Sequence, residues 1–362
     1  MFSQYFRNRR VLVTGHTGFK GSWLCEWLLS LGSEVHGYAL DPEPHEVLFD
    51  QLGFAGRLAS DTRGDLADRA LLEETVKQTR PEVVLHLAAQ ALVRESYQSP
   101  VETFATNVMG TVHLLEAVRR ADHPCTVVCI TTDKCYENRE WLHAYREEDP
   151  MGGHDPYSAS KGAAEIAIAS YRRSFFSGSN SKVRLASARA GNVIGGGDWS
   201  PDRIVPDAIR ALRSGQTIPV RNKVATRPWQ HVLEPLGGYL TLAAQLAQAD
   251  SVEAEVLASA FNFGPTLNSN RTVAALVEEL LKSWPGNWED RSDPWAPHEA
   301  SKLNLAIDKA QHLLGWQPRW DFAETVVRTA DWYRRVSTGV DPVRLTQEQI
   351  ADYSSRDLSV GN

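Results

Sequence analysis

Four cysteines in 362 residues, none of them in a C-x-x-C pair, give no sign of a disulfide framework or a thiolate metal site. Cys25, Cys125, Cys129 and Cys135 read instead as reduced core thiols, three of them in or beside one apolar run. A basic excess is also missing. Lys and Arg number 38 against 45 Asp and Glu, a net charge of -7. That argues against a general nucleic-acid binder, whose phosphate contacts need clustered cations, although a local cluster could still hold one small anion. No stretch reaches the roughly 18 consecutive apolar residues of a membrane span, and the opening MFSQYFRNRR lacks the apolar centre of a signal peptide. The expectation is a cytoplasmic protein with no membrane or nucleic-acid partner. Repeats and low-complexity tracts are absent as well. With 42% hydrophobic residues the chain can bury a large core, as two domains or one large one, without a metal.

What is present is an alternation. Short apolar runs, VLVTG (11 to 15), EVHGYAL (34 to 40), EVVLHLAA (82 to 89), TVVCITT (126 to 132) and VRLASARA (183 to 190), are each followed by a helical pattern. Repeated βα units of this kind predict an α/β fold, a Rossmann-type doubly wound parallel sheet buried on both faces. After Gly191 the texture becomes glycine-rich and mixed, which predicts a second, smaller mixed α/β substrate domain. LGGYLTLAAQLAQ (236 to 248) and AFNFGP (260 to 265) read as a return to the sheet. The expected division is 1–190 plus 232–264 for the first domain and 191–231 plus 265–362 for the second.

Strand VLVTG runs directly into a helix through Gly15, Gly18 and Gly21, a G-x-x-G-x-x-G loop. At such a junction the free N–H groups of the helix start can face a pyrophosphate, and glycine lets the backbone come close. The next strand ends at Asp41, where a carboxylate can accept from a ribose diol and repel a 2'-phosphate, favouring NAD over NADP; a plain turn acid is the alternative. Asp65 and Leu66 form a candidate adenine pocket, with a helix cap at Asp65 as the competing reading. Thr17, Phe19, Lys20, Ala88 and Ala89 complete the candidate cofactor set. Lys20 is unexpected there, because the loop backbone already serves the phosphates.

In DPYSASKGAAE, Tyr157 and Lys161 are four residues apart on a helix and share a face, so an ammonium can steady a phenolate. Free tyrosine has a pKa of about 10, so a base at neutral pH needs it lowered by roughly three units, through Lys161 and a cationic nicotinamide ring. Ligands of an open parallel sheet bind beyond the carboxyl ends of the strands, which puts Thr132, Asp133 and Lys134 at that rim. A polar strand end with an Asx turn would explain Asp133 alone.

These motifs, with GHTGFKGSWL, TTDKCYENRE, GNVIGGGDW and RPWQHVLEPLGGYL, resemble the extended short-chain dehydrogenases/reductases, within them the nucleotide-sugar 4,6-dehydratases, and most of all the CDP-glucose 4,6-dehydratases. The resemblance implies bound NAD, CDP-glucose as substrate and a step of deoxysugar biosynthesis of the kind that serves lipopolysaccharide. In that chemistry Tyr157 takes the proton of the sugar O4, hydride leaves C4, water is lost across C5 and C6, and hydride returns to C6. Asp133 fits the acid for O6. Lys134 stands where dTDP-glucose relatives have Glu as the C5 base; it either loses its proton to do the same or steadies an enolate. Asn192, Arg203 and Arg227 are the expected diphosphate ligands, Glu299 a contact to nucleoside or sugar, and a homodimer is implied through the helices that hold Tyr157 and follow Asn107. A 4-epimerase, which needs no acid and base after Thr132, and a non-catalytic NAD-binding regulator are the rival readings.

Overall fold

The computed structural model describes residues 2–42, 47–178, 181–292 and 302–356. Its centre is a seven-stranded sheet, β1 (Arg10–Thr14), β2 (Glu34–Ala39), β3 (Ser60–Arg63), β4 (Val83–His86), β5 (Cys125–Thr131), β6 (Val183–Arg189) and β7 (Ala260–Asn262), in the order β7-β6-β5-β4-β1-β2-β3. Every pairing is parallel. Alternate residues of one strand serve opposite faces: Val11 and Val13 enter one core, Leu12 the other, and Val83 and Leu85 likewise oppose Val84. That two-sided burial is why the apolar runs are continuous rather than alternating. The chain order reverses between β1 and β4, which makes their carboxyl ends the switch point where ligands of such sheets bind.

The helix Phe19–Ser30 follows β1 and buries Trp23 and Trp27; the helix Leu233–Gln248 packs on β5. Outside the sheet, three short ribbons shape the segment after β6. Val193–Ile194 pairs with Gln230–His231, Thr226–Pro228 with Asn270–Thr272, and Ile218–Val220 with Trp288–Asp290. The last helix, Pro342–Ser355, returns to the first half of the chain, where Gln347 donates to the buried Glu26 carboxylate at 2.7 Å. All four cysteines are buried and free. Among the described residues no helix is long and apolar enough to cross a membrane.

Candidate active site

The glycine loop is shaped by two kinds of demand. Gly15 has φ +75, and a Cβ there would come within 2.7 Å of the Ala88 amide; a Cβ on Gly21 would lie 2.1 Å from the Gly15 carbonyl. Gly18 is different, since its Cβ would meet only the Gly15 carbonyl, at 3.4 Å. Its missing side chain keeps open the space before the helix Phe19–Ser30, whose N-cap makes no side-chain bond. A helix start with uncapped amides beside open space fits a pyrophosphate. Thr14 latches the loop's floor, sharing its hydroxyl with His86 Nδ1 at 2.7 Å and accepting from the Ala88 amide at 3.2 Å. Thr17 donates to the Leu40 carbonyl and so ties the loop to the end of β2.

Asp41 lies just beyond β2, exposed and 3.8 Å from Arg63, a neighbour the sequence did not announce. Asp65 accepts the Ala67 amide at 2.8 Å as a turn residue, while the helix cap is Asp68, bonded to the Leu71 amide. The helix-cap alternative for Asp65 is therefore displaced by three residues. Leu66 is buried against Gly110, where a Cβ would meet it at 2.7 Å. Ala88 and Ala89 follow β4 at the switch point. The set of glycines, the open helix start and the exposed Asp41 together fit a dinucleotide.

One 3₁₀ turn beyond β5 carries the reacting candidates. Thr132 Oγ1 donates to Asp133 Oδ1 at 2.9 Å and accepts from the Lys134 amide at 3.4 Å. The other Asp133 oxygen accepts from Asn192 Nδ2 at 3.2 Å. Asp133 is 1% exposed, pressed against Gly191, where a Cβ would sit 2.0 Å from the carboxylate. Asn192 has φ +52, the left-handed backbone that turns its amide back on Asp133. Lys134 is half-buried, and among the described residues its ammonium has no hydrogen bond or ion pair.

Tyr157 and Lys161 reach this turn from the helix Pro156–Phe175. Its start is fixed by Pro156 at N1 and by Asp155, whose carboxylate accepts the Ser158 amide at 2.9 Å and the Ser158 hydroxyl at 2.6 Å. Both side chains are buried. Burial pushes the Tyr157 phenol up to about 12, aided by the charges of Asp133 and Asp155, against a hydrogen bond from Thr132 and the Arg203 cation. The protein's own groups thus favour the neutral phenol; the lowering expected from the sequence counted on the nicotinamide cation as well as Lys161. Burial pulls Lys161 down to about 8. Lys20 is likewise pulled to about 8, first by burial and then by the cations Arg203 and Lys161, with Asp133 and Asp198 opposing. Asp133 and Lys161 of the candidate site are thus among its electrostatic neighbours.

Arg203 is held by Asp198 at 3.0 Å, and Asp198 in turn offers its carbonyl to Tyr333. Arg227 lies on the Thr226–Pro228 strand and donates to the Thr226 carbonyl at 3.0 Å. Glu299 lies outside the described residues.

Sequence reasoning missed a buried network behind the turn. Glu165, one helical turn beyond Lys161, accepts from Thr131 and Ser187 and pairs with Arg189 at 2.9 Å, both partners about 4% exposed. Arg189 also donates to the Tyr136 hydroxyl at 2.7 Å, which donates to Asn262. Asn107, in a π turn at Ala105–Met109, bonds Gln90 and Ser160 and so braces β4's loop against the Tyr157 helix. Glu165 stands at i+4 from Lys161, a spacing that could have flagged it. Arg189 closes an apolar run and carries no comparable local signal.

Known proteins add an independent line. Residues 12–329 match the family described as GDP-mannose 4,6 dehydratase. The chain is 45% identical over 356 residues to a CDP-glucose 4,6-dehydratase of Salmonella typhimurium, covering 97% of this chain and 98% of that protein. It is 32% identical to a dTDP-glucose 4,6-dehydratase of Streptomyces antibioticus, covering 92% and 95%. Among solved structures, a dTDP-glucose 4,6-dehydratase of Bacillus anthracis in complex with NAD superposes with TM-score 0.74 at 20% identity, covering 92% of this chain and 99% of that one. A UDP-glucose 4-epimerase of Thermotoga maritima gives 0.73 at 22%, covering 90% and 99%. These structures share the fold, and the match along nearly the whole sequence decides the rest: the chain belongs to the GDP-mannose 4,6 dehydratase family.

Proposed function

We propose that this chain converts CDP-glucose into CDP-4-keto-6-deoxyglucose and water, as an NAD-dependent nucleotide-sugar 4,6-dehydratase in deoxysugar biosynthesis. The observation that carries the reading is the buried Asp133 carboxylate, bonded to both Thr132 and Asn192 next to Tyr157. Oxidation at one carbon needs only the Tyr157, Lys161 and Thr132 group; a buried acid beside it supplies what loss of a hydroxyl requires. The full-length likeness to a CDP-glucose 4,6-dehydratase supports the choice of nucleotide.

The chemistry a bound NAD would supply is a reversible hydride store, for the hydride that leaves sugar C4 and ends on C6. The amides at residues 19 to 21 would hold the NAD pyrophosphate, while the Gly18 amide is taken by the Gly15 carbonyl at 3.1 Å, and Asp41 would take the ribose diol. Thr132 and Tyr157 face O4, and Tyr157 removes its proton. A ketone at C4 makes the C5 hydrogen acidic, so Lys134 withdraws that proton while Asp133 protonates O6 and water departs. Lys134 then returns its proton to C5. Asn192, Arg203 and Arg227 hold the diphosphate, for which a guanidinium fork suits two oxygens. Exposed Val101 (74%), Ile166 (61%) and Phe175 (52%) on the helices Pro100–Phe104 and Pro156–Phe175 suit a homodimer contact in a cytoplasmic enzyme.

The deciding experiment incubates the purified protein with CDP-glucose, without added reductant, and weighs the product. A mass lower by one water is expected. A product of unchanged mass would make it an epimerase instead, the reading that likeness to UDP-glucose 4-epimerase structures keeps in play.

A further inference from the structure

We infer that Gln230 is a positioning residue for the loss of water: it fixes Gly191 and Asn192, and through them the plane of the Asp133 carboxyl group. The inference rests on the proposed dehydration. It concerns a buried residue whose own donated hydrogen bonds all end on backbone carbonyls.

Asp133 is gripped on three sides. Asn192 Nδ2 donates to Oδ2 at 3.2 Å, and Thr132 Oγ1 donates to Oδ1 at 2.9 Å. Gly191 supplies the third hold, since a Cβ there would stand 2.0 Å from Oδ2, 2.1 Å from the carboxyl carbon and 2.2 Å from Oδ1. A point so nearly equidistant from all three atoms lies over the face of the group rather than at its edge. One bond on each oxygen and a backbone behind the plane leave the carboxyl group a single orientation, whichever protonation state it holds.

Two of these holds come from residues 191 and 192, and that loop is itself held from outside. Asn192 has φ +52, a left-handed backbone that a non-glycine residue keeps only where its surroundings impose it. Gln230 imposes it. Its backbone N–H donates to the Asn192 carbonyl at 3.3 Å, while its side-chain Nε2 donates to the Gly191 carbonyl at 2.9 Å and the Phe263 carbonyl at 3.1 Å. Phe263 follows β7 and gives its own N–H to the Arg189 carbonyl at the end of β6, so one amide group clamps the exits of both strands. The clamp has a cost: Gln230 Oε1 is buried without a hydrogen-bond partner among the described residues. Turning the amide over would not relieve it, because both carbonyls it meets are acceptors and need the NH₂ end. Asn192 Nδ2 has a second N–H, so its bond to Asp133 still leaves one for the diphosphate.

Gln230→Leu removes the clamp with little change in volume, and Asn192→Gly removes the amide while keeping the left-handed backbone accessible. In the holoenzyme at saturating CDP-glucose, stopped-flow absorbance of reduced cofactor reads C4 oxidation, and mass spectrometry of quenched samples reads water loss. Gln230→Leu should oxidise C4 within about threefold of the wild-type rate but lose water about 10²-fold more slowly, so that reduced cofactor accumulates on the enzyme. Asn192→Gly should show the same split, with a raised KM for CDP-glucose besides, because it also gives up a diphosphate contact. The double variant should be no slower than the slower single one, since both act on one carboxyl group. A side chain that only stabilises the fold would lower both steps together or neither. A wild type that yields no water-loss product sinks the dehydratase reading and this assignment with it. A wild type that turns over, beside a Gln230→Leu enzyme whose two steps fall by the same factor or not at all, leaves the function standing and overturns the assignment. If circular dichroism finds Gln230→Leu unfolded, Asn192→Gly decides: accumulated reduced cofactor supports the route through residue 192, and an effect confined to KM overturns it.

Discussion

Lys134 follows an acid at the end of a buried strand, and an amine there has two distinct uses in an elimination. As a base it must exist without its proton; as a fixed cation it must keep it. The two are separable because a guanidinium cannot be deprotonated at ordinary pH. We expect Lys134→Arg to retain oxidation at C4, seen as reduced-cofactor absorbance when CDP-glucose is added, and to lose exchange of the C5 hydrogen with deuterated solvent by about 10²-fold or more. An Arg variant with normal exchange would leave Lys134 as an electrostatic group. Much of this site could be read in advance, since Gly15, Gly18, Gly21, Tyr157 and Lys161 each belong to a spacing that one helix or loop imposes. The bond from Asn192 to Asp133 could not, because it depends on a left-handed residue in a loop that meets the turn only in the folded chain. The burial that raises the Tyr157 phenol could not be read either, because burial is a property of the packed molecule.

At the level of elements, the helix Pro156–Phe175 is joined to β5 and β6 by one carboxylate. Burial alone would raise the Glu165 pKa, but Arg189, Thr131 and Ser187 hold it below the usual carboxylate range. Because Arg189 also holds Tyr136, the same network grips the chain on both sides of Thr132, Asp133 and Lys134. Glu165→Gln leaves a guanidinium buried without its counter-charge, which should cost about 3–5 kcal/mol in urea unfolding. Adding Arg189→Met should recover more than half of that loss; additive losses would mean the pair is not coupled. The strands themselves were legible because a sheet covered on both faces requires unbroken apolar runs, as in β4 and β5. The ribbons at Val193–Ile194 and Gln230–His231 were not, for two residues carry no period, and their pairing spans nearly forty residues of chain.

Across the whole molecule, buried titratable groups pull stability in opposite directions with pH. Glu234 joins the helix Leu233–Gln248 to the last helix, accepting from the Arg319 and Trp320 amides at 3.0 and 2.7 Å and from the Tyr353 hydroxyl at 2.8 Å. Burial nonetheless pushes it up to about 7, against an ordinary 4.5. A raised carboxyl gives stability that is complete below about pH 4.5 and is lost as pH climbs through 7. His86 and His231 do the reverse. Burial pulls both to about 3 from 6.5, so their contribution is complete above pH 6.5 and is lost on acidification towards 3. With two imidazoles against one carboxyl, stability should rise with pH through the mildly acidic range and level off near neutrality, where the losses cross. Glu234→Gln isolates the carboxyl, since an amide can accept from both backbone N–H groups and donate to Tyr353 but cannot ionise. Urea unfolding should find the Gln variant and the wild type equal near pH 4.5, with the variant gaining up to roughly 3 kcal/mol over the wild type by pH 8. A stability difference that does not change with pH would mean that Glu234 ionises in the folded protein as readily as in the unfolded chain, and that its three hydrogen bonds fully offset its burial.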